Sequence, residues 1–136
     1  MTNGPNTWGV RFSLITWLER LLRAHPNVAA VSRRDDILFD VTRKKQHDRL
    51  VVLCCDEYTA GVTIVHRALA EFGKVDIIYI GGGWCGYTAQ AKGFCVSSRM
   101  GLFVSDEMMG ALWANDYWTY HKRNEKGDPI YYYRSA

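Results

Sequence analysis

The sequence predicts an α/β domain built on a mixed central sheet, and three observations lead there. An amphipathic helix opens the periodic part of the chain at 13–24. Two apolar runs, Leu50–Cys55 and Asp76–Ile80, are too continuous for half-exposed strands and read as strands covered on both faces. A helical pattern follows each run, as the crossover between parallel strands requires.

In the opening helix Leu14, Ile15, Leu18, Leu21 and Leu22 recur at helical spacing, with Glu19, Arg20 and Arg23 on the other side. His25-Pro26-Asn27 ends it, because the residue before a proline avoids the helical region. Val28–Val31 and Ile37–Thr42 are apolar and β-branched, separated by the charged stretch Ser32–Asp36. An antiparallel pairing through the polar connection Arg43–Arg49 sets the second of these beside Leu50–Cys55. Gly61–Gly73 carries a stripe of Val62, Val65, Leu69 and Phe72, widened by Ile64 and Ala68, with Gly73 where a terminating glycine belongs. Gly81-Gly82-Gly83 breaks the strand Asp76–Ile80, and a helix is expected from Tyr87 to Met100, opening at Thr88. Leu102–Val104 reads as a short strand, and Ser105 as the cap of a last helix with Asp106 and Glu107 in its first turn. Asn124–Pro129 is a turn, and Ile130–Tyr133 an edge strand or an ordered tail. The expected order is α-β-β-β-α-β-α-β-α.

At 136 residues the chain fits one domain. Its 48% hydrophobic and 23% charged residues exclude wholesale disorder. No apolar run approaches the roughly 18–20 residues of a membrane span, and no basic segment precedes an apolar stretch at the N-terminus. No membrane partner and no signal peptide are therefore expected, and the expected compartment is the cytoplasm. A net charge of +3 permits nucleic-acid contact without demanding it. Cys54, Cys55, Cys85 and Cys95 lack zinc-site spacing and are expected to be reduced, buried thiols. His25, His47, His66 and His121 show no metal spacing either, so no metal set is read from the sequence.

Three stretches carry a family resemblance. They are Trp17-Leu18-Glu19-Arg20-Leu21-Leu22, then Asp36-Ile37-Leu38-Phe39-Asp40-Val41, then the series Ile77–Gly83, Tyr87–Lys92 and Gly101–Val104. In that order they resemble the first helix, the strand of the first metal-binding aspartate, and the strand, glycine turn, helix and short strand of the restriction-endonuclease-like (PD-(D/E)XK) superfamily, in its Mrr-like branch. The resemblance implies a three-layer α/β/α restriction-endonuclease-like domain over 13–113. An N-terminal arm over 1–12 precedes it, and an aromatic C-terminal extension over 114–136 packs on the domain or on a partner.

Such a nuclease holds a hard divalent cation with carboxylates, and a lysine two residues after the second carboxylate shares its face of the strand. Asp40 fits the first position. In the family's register Cys54 stands where an acidic residue or Gln belongs, and Asp56 where the lysine belongs, and no Lys occurs between Lys45 and Lys74. Glu19 is only an approximate counterpart of the helix-borne glutamate. The resemblance therefore implies a degenerate site and a catalytically inactive DNA- or protein-binding accessory module of DNA-handling machinery, of a mobile element or defence system, with no cofactor. The alternative is a divergent metal-dependent DNA endonuclease with Mg²⁺ or Mn²⁺, its catalytic candidates Asp40, Asp56, Glu57, Lys44 and Lys45. A second alternative, a Rossmann-like small-molecule binder at the glycine turn, needs an all-parallel sheet.

Each feature also has a plain structural reading. Asp40 can satisfy a turn, Asp56 and Glu57 can begin a loop, and Lys44 and Lys45 can be a solvated hairpin. The glycine turn can be a tight passage, with Trp84 and Tyr87 either stacking on bases or covering the sheet end. Arg33, Arg34, Arg43, Lys44, Lys45 and Arg49 form the candidate nucleic-acid set. Trp113, Trp118, Tyr131, Tyr132 and Tyr133, with Tyr117 and Tyr120, either pack the tail down or form a homodimer or protein-partner surface.

Overall fold

The computed structural model describes residues 6–134, so the first five residues of the expected N-terminal arm, and Ser135 and Ala136, lie outside the described residues. Helix α1 (Phe12–Ala24) turns Leu14, Ile15, Leu18 and Leu22 inward, the stripe its spacing predicts. Strands β1 (Val28–Arg34), β2 (Leu38–Arg43) and β3 (Arg49–Asp56) then form an antiparallel meander. Strands β5 (Ile77–Gly81) and β7 (Gly101–Val104) extend it parallel to β3, giving the order β1-β2-β3-β5-β7. The sheet is mixed, and the all-parallel sheet that a Rossmann-like reading needs is not formed.

Helices α2 (Val62–Phe72) and α3 (Ala89–Ser97) are the crossovers between parallel strands, and His66 of one meets Phe94 of the other with ring centroids 4.8 Å apart. Right-handed crossovers put both on one face of the sheet. Helix α4 (Ser105–Ala111) joins α1 on the opposite face, where the His25 ring following α1 reaches the Met109 carbonyl at 2.8 Å. The result is a three-layer α/β domain. Strands β4 (Thr59–Ala60) and β6 (Gly86–Tyr87) make a small parallel pair, and β8 (Lys122–Arg123) with β9 (Pro129–Ile130) a small antiparallel one. No helix among the described residues is long and apolar enough to cross a membrane.

Local chemistry adjusts several expected boundaries. The charged stretch after Val31 is strand as far as Arg34, and only Asp35 and Asp36 turn. Both take left-handed backbone, φ +51° and +63°, which Asp tolerates, and with Ile37 they make the three-residue link between the paired Arg34 and Leu38. Thr88 caps α3 as expected, accepting the Ala91 N–H at 3.0 Å, but α3 ends at Ser97 rather than Met100. Ser105 is not the cap of α4. Glu107 Oε1 instead accepts the Val104 N–H at 3.0 Å, and the Ser105 hydroxyl pairs with the Tyr79 hydroxyl at 2.7 Å.

The core is continuous from α1 through the sheet to α4. All four cysteines are free and buried, and burial pushes the Cys54 and Cys95 thiols up to about 12, far from the thiolate form that reacts. Edge strand β7 is closed by the buried Lys92, whose Nζ donates to the Leu102 carbonyl at 2.7 Å. The C-terminal segment pairs with β6: Tyr87 N–H donates to the Tyr132 carbonyl at 3.0 Å, and Arg134 N–H to the Tyr87 carbonyl at 2.8 Å.

Candidate functional site

Strand register decides where the candidate carboxylates point. Asp40 lies opposite Val51, and Phe39 opposite Val52. Cross-strand partners share a face and neighbours along a strand alternate, so Asp40 faces with Val51, Leu53 and Cys55. Asp56 is five residues beyond Val51 and faces the other way, with Cys54 and Val52. The two aspartates are thus on opposite faces of the sheet, separated by roughly 17 Å along the strands. On the Asp56 face β2 offers the buried Phe39 where a first carboxylate would be needed.

Each carboxylate already has a cation. Arg11, just before α1, grips Asp56 with Nε to Oδ2 at 2.7 Å and Nη2 to Oδ1 at 3.1 Å. These hydrogen bonds and the guanidinium charge hold the Asp56 carboxyl below its usual range. Burial alone would raise the Asp40 carboxyl, but Arg34 at 3.0 Å and then Arg49 at 3.4 Å outweigh it and lower it. Glu19 pairs with Arg23 one helical turn on, at 3.0 Å. Glu57 sits in the turn between β3 and β4.

Lys44 and Lys45 are exposed in the turn where β3 begins, and Asp56 and Glu57 lie where it finishes. An eight-residue strand, roughly 26 Å, separates the lysines from those acids. The structure therefore does not bring the catalytic candidates together. Among the described residues no group of three or more His, Cys, Asp and Glu side chains is placed to hold a metal ion. A hard divalent ion does not fit Asp40 and Asp56 as they stand, because they point apart and each is neutralised by arginine.

The candidate nucleic-acid set divides in two. Arg33 is tucked against Asp36 and the Phe12 ring, and Arg43 is wholly buried, bound to Asp48 through two nitrogens at 2.7 and 2.9 Å. Both are structural. Arg34, Lys44, Lys45 and Arg49 remain exposed on the β1–β2–β3 hairpins. Of the candidate interface residues, Trp118, Tyr131 and Tyr132 pack partly against the core, while Trp113 and Tyr133 stay exposed.

Sequence reasoning missed a buried polar cluster beside the C-terminal segment. Tyr87 donates to Glu107 Oε2 at 2.6 Å, Lys92 Nζ lies over the Tyr87 and Phe103 rings at 5.0 and 4.3 Å, and the Tyr132 N–H reaches the Tyr87 hydroxyl at 3.1 Å. Burial pulls the Lys92 ammonium down and pushes the Glu107 carboxyl up, and their mutual attraction opposes both shifts. A lone Lys and a lone Glu on otherwise small or apolar helix faces were the available signal.

Two surface features complete the geometry. A cleft of about 580 Å³ between α1 and α4 is lined by Trp17, Leu21 and Met109, with Arg20 and Lys122 at its rim. A second, of about 360 Å³, lies at the carboxyl ends of β5 and β7 beside the glycine turn. Comparison with known proteins gives no match to a family model, a curated protein or a solved structure.

Proposed function

We propose that this chain is a non-catalytic binding module on a nuclease-like fold that contacts nucleic-acid phosphates through its outer hairpins. One observation carries the reading: Asp40 and Asp56 occupy opposite faces of the sheet, each held by arginine, with Lys44 and Lys45 a strand's length from Asp56. Phosphodiester hydrolysis needs those groups around one ion. Lys44 and Lys45, exposed in the turn between β2 and β3, support contact with a phosphate backbone, and the exposed Arg34 and Arg49 add to it while also pairing with Asp40. The apolar cleft between α1 and α4, with exposed Trp17 and Met109, favours a second reading, a protein partner.

Titration of labelled duplex DNA at low and physiological salt, with and without Mn²⁺, tests the proposal. The expected result is salt-sensitive binding without cleavage. Lys44→Gln with Lys45→Gln should flatten the slope of log K against log salt by up to about 2. Undetectable binding at low salt overturns the nucleic-acid reading and leaves the protein partner. Mn²⁺-dependent cleavage that vanishes in Asp40→Ala or Asp56→Asn overturns the absence of catalysis.

A further inference from the structure

The cleft at the carboxyl ends of β5 and β7 holds the least sheltered large apolar side chain among the described residues, Trp84, which is 84% exposed. Its backbone is left-handed, φ +59°, a conformation a bulky aromatic rarely adopts. The turn that carries it is nonetheless held in place. Arg134 Nε donates to the Trp84 carbonyl at 3.1 Å, the Cys85 thiol donates to the Gly82 carbonyl at 3.2 Å, and Gly86 N–H donates to Tyr58 O at 3.0 Å. Gly86 is also pressed against the Tyr132 carbonyl, leaving no room there for a Cβ. An indole is thus presented to solvent on a fixed, strained backbone. Strain and apolar exposure both cost stability, and a bound ligand that covers the ring recovers the second.

The rest of the cleft supplies polar groups of both signs. Asp106 accepts from the Tyr132 hydroxyl through Oδ2 at 3.1 Å, leaving Oδ1 as an acceptor. Arg134 uses Nε and Nη1 on the Trp84 and Tyr133 carbonyls, leaving Nη2 as a charged donor. Gly82 and Trp84 of the glycine turn line the cleft, and their backbone N–H groups, like that of Gly83 between them, donate to no acceptor among the described residues. A flat aromatic face, an acceptor carboxylate and a cationic donor next to free amides match one ligand chemistry: a planar base with N–H donors on its edge and an anionic phosphate attached. A purely cationic guest would meet Arg134, and a purely apolar one would strand Asp106.

We propose that this cleft binds a nucleotide unit, with the base stacked on Trp84, its N–H edge toward Asp106 and its phosphate toward Arg134 and the glycine-turn amides. The cleft lies at the opposite end of β3 from Lys44 and Lys45, so it goes beyond the phosphate-contacting hairpins and does not depend on them.

The same chemistry is offered by a free mononucleotide and by a base of a single strand. The test titrates the full chain with the four ribonucleoside monophosphates by calorimetry, and with a labelled short single-stranded oligonucleotide by anisotropy. Either arm is expected to bind: saturation by a monophosphate identifies a free nucleotide, and saturation by the oligonucleotide alone identifies a single strand. Trp84→Ala should weaken that binding at least about tenfold, and Trp84→Phe should keep most of it, because stacking rather than a hydrogen bond is lost. Thermal melting of both variants should match the parent. Absence of binding in both arms overturns the proposal, as does an affinity of Trp84→Ala within about twofold of the parent. If Lys44→Gln with Lys45→Gln abolishes duplex binding but leaves the Trp84-dependent signal, the cleft stands on its own.

Discussion

The two ends of the central sheet solve opposite problems. Where β2 ends and β3 begins, polar groups are buried and satisfy one another. Arg43 binds Asp48 and the Ala114 carbonyl, the latter at 2.7 Å, under the Tyr117 ring. Asn27 donates to Gln46 and to Leu112 O, both at 2.9 Å, and accepts the Lys45 N–H. His25 Nδ1 accepts the Asn27 N–H, so its Nε2 carries the proton and donates to Met109 O. Together these side chains serve the carbonyls at and beyond the end of α4, which a helix leaves without partners. Where β3, β5 and β7 finish, the pattern reverses. Arg11 grips Asp56 from a side chain that is 63% exposed, the glycine turn keeps amides without acceptors among the described residues, and Trp84 stands in solvent. The first end uses its buried polar groups to hold the fold and presents side-chain cations such as Lys44 and Lys45 to solvent, whereas the second leaves backbone amides and an indole facing outward, where a planar ligand can meet them.

That contrast sets the order of expected mutational effects. Arg43→Ala, at the closed end, leaves two carbonyls and Asp48 without their buried partner and should cost about 3–5 kcal/mol, read as a lowered urea midpoint. A loss below about 1 kcal/mol would mean that this end is not locked as described. Asn27→Ala should cost about 1–3 kcal/mol in the same assay, since it also strands buried groups.

Acid separates the ends more finely, because each has one Asp held low by an arginine. The hydrogen bond from Arg43 is the larger cause at Asp48, and that from Arg11 at Asp56. Their folded values lie below the unfolded carboxylate range of about 3.9. The stabilisation is therefore complete above that pH and is lost as pH falls through the folded values. Asp48→Asn and Asp56→Asn should each flatten the decline in stability below about pH 4, with the larger change at Asp48, whose arginine is buried. Equal changes would erase the distinction. The smallest effect belongs to Trp84→Ala, which should move stability by no more than about 0.5 kcal/mol, because the ring packs against little.

Much of the fold was legible in the sequence because its causes are local. The periodicity of Leu14 to Leu22, the continuous run into Cys54-Cys55, and Thr88 before a helix each act within a few residues. Arg43 was not legible. In sequence it belongs to a basic run with Lys44 and Lys45, and its burial depends on carbonyls of Leu112 and Ala114 some seventy residues away. The carboxylates misled for a related reason. Asp40 and Asp56 each suit a metal site, but their faces follow from the β2–β3 register, which the turn at 44–48 sets and composition does not reveal. Trp84 and Tyr87 were equivalent as exposed or covering aromatics; the left-handed turn at Trp84 sends one outward while Glu107 and the C-terminal segment bury the other.

Residue-resolved native-state amide hydrogen exchange, with and without the nucleotide ligand, tests the contrast between the ends most directly. The N–H groups of Asn27, Lys44 and Lys45 are bonded to His25 and Asn27 and should exchange near the slow, globally limited rate. Those of Gly82, Gly83 and Trp84 should exchange near the unprotected rate and slow on adding ligand. Protection of the glycine turn equal to that of Lys44 in the free protein, or protection by a nucleoside monophosphate that appears at the Arg43 end and not at the glycine turn, would contradict the account.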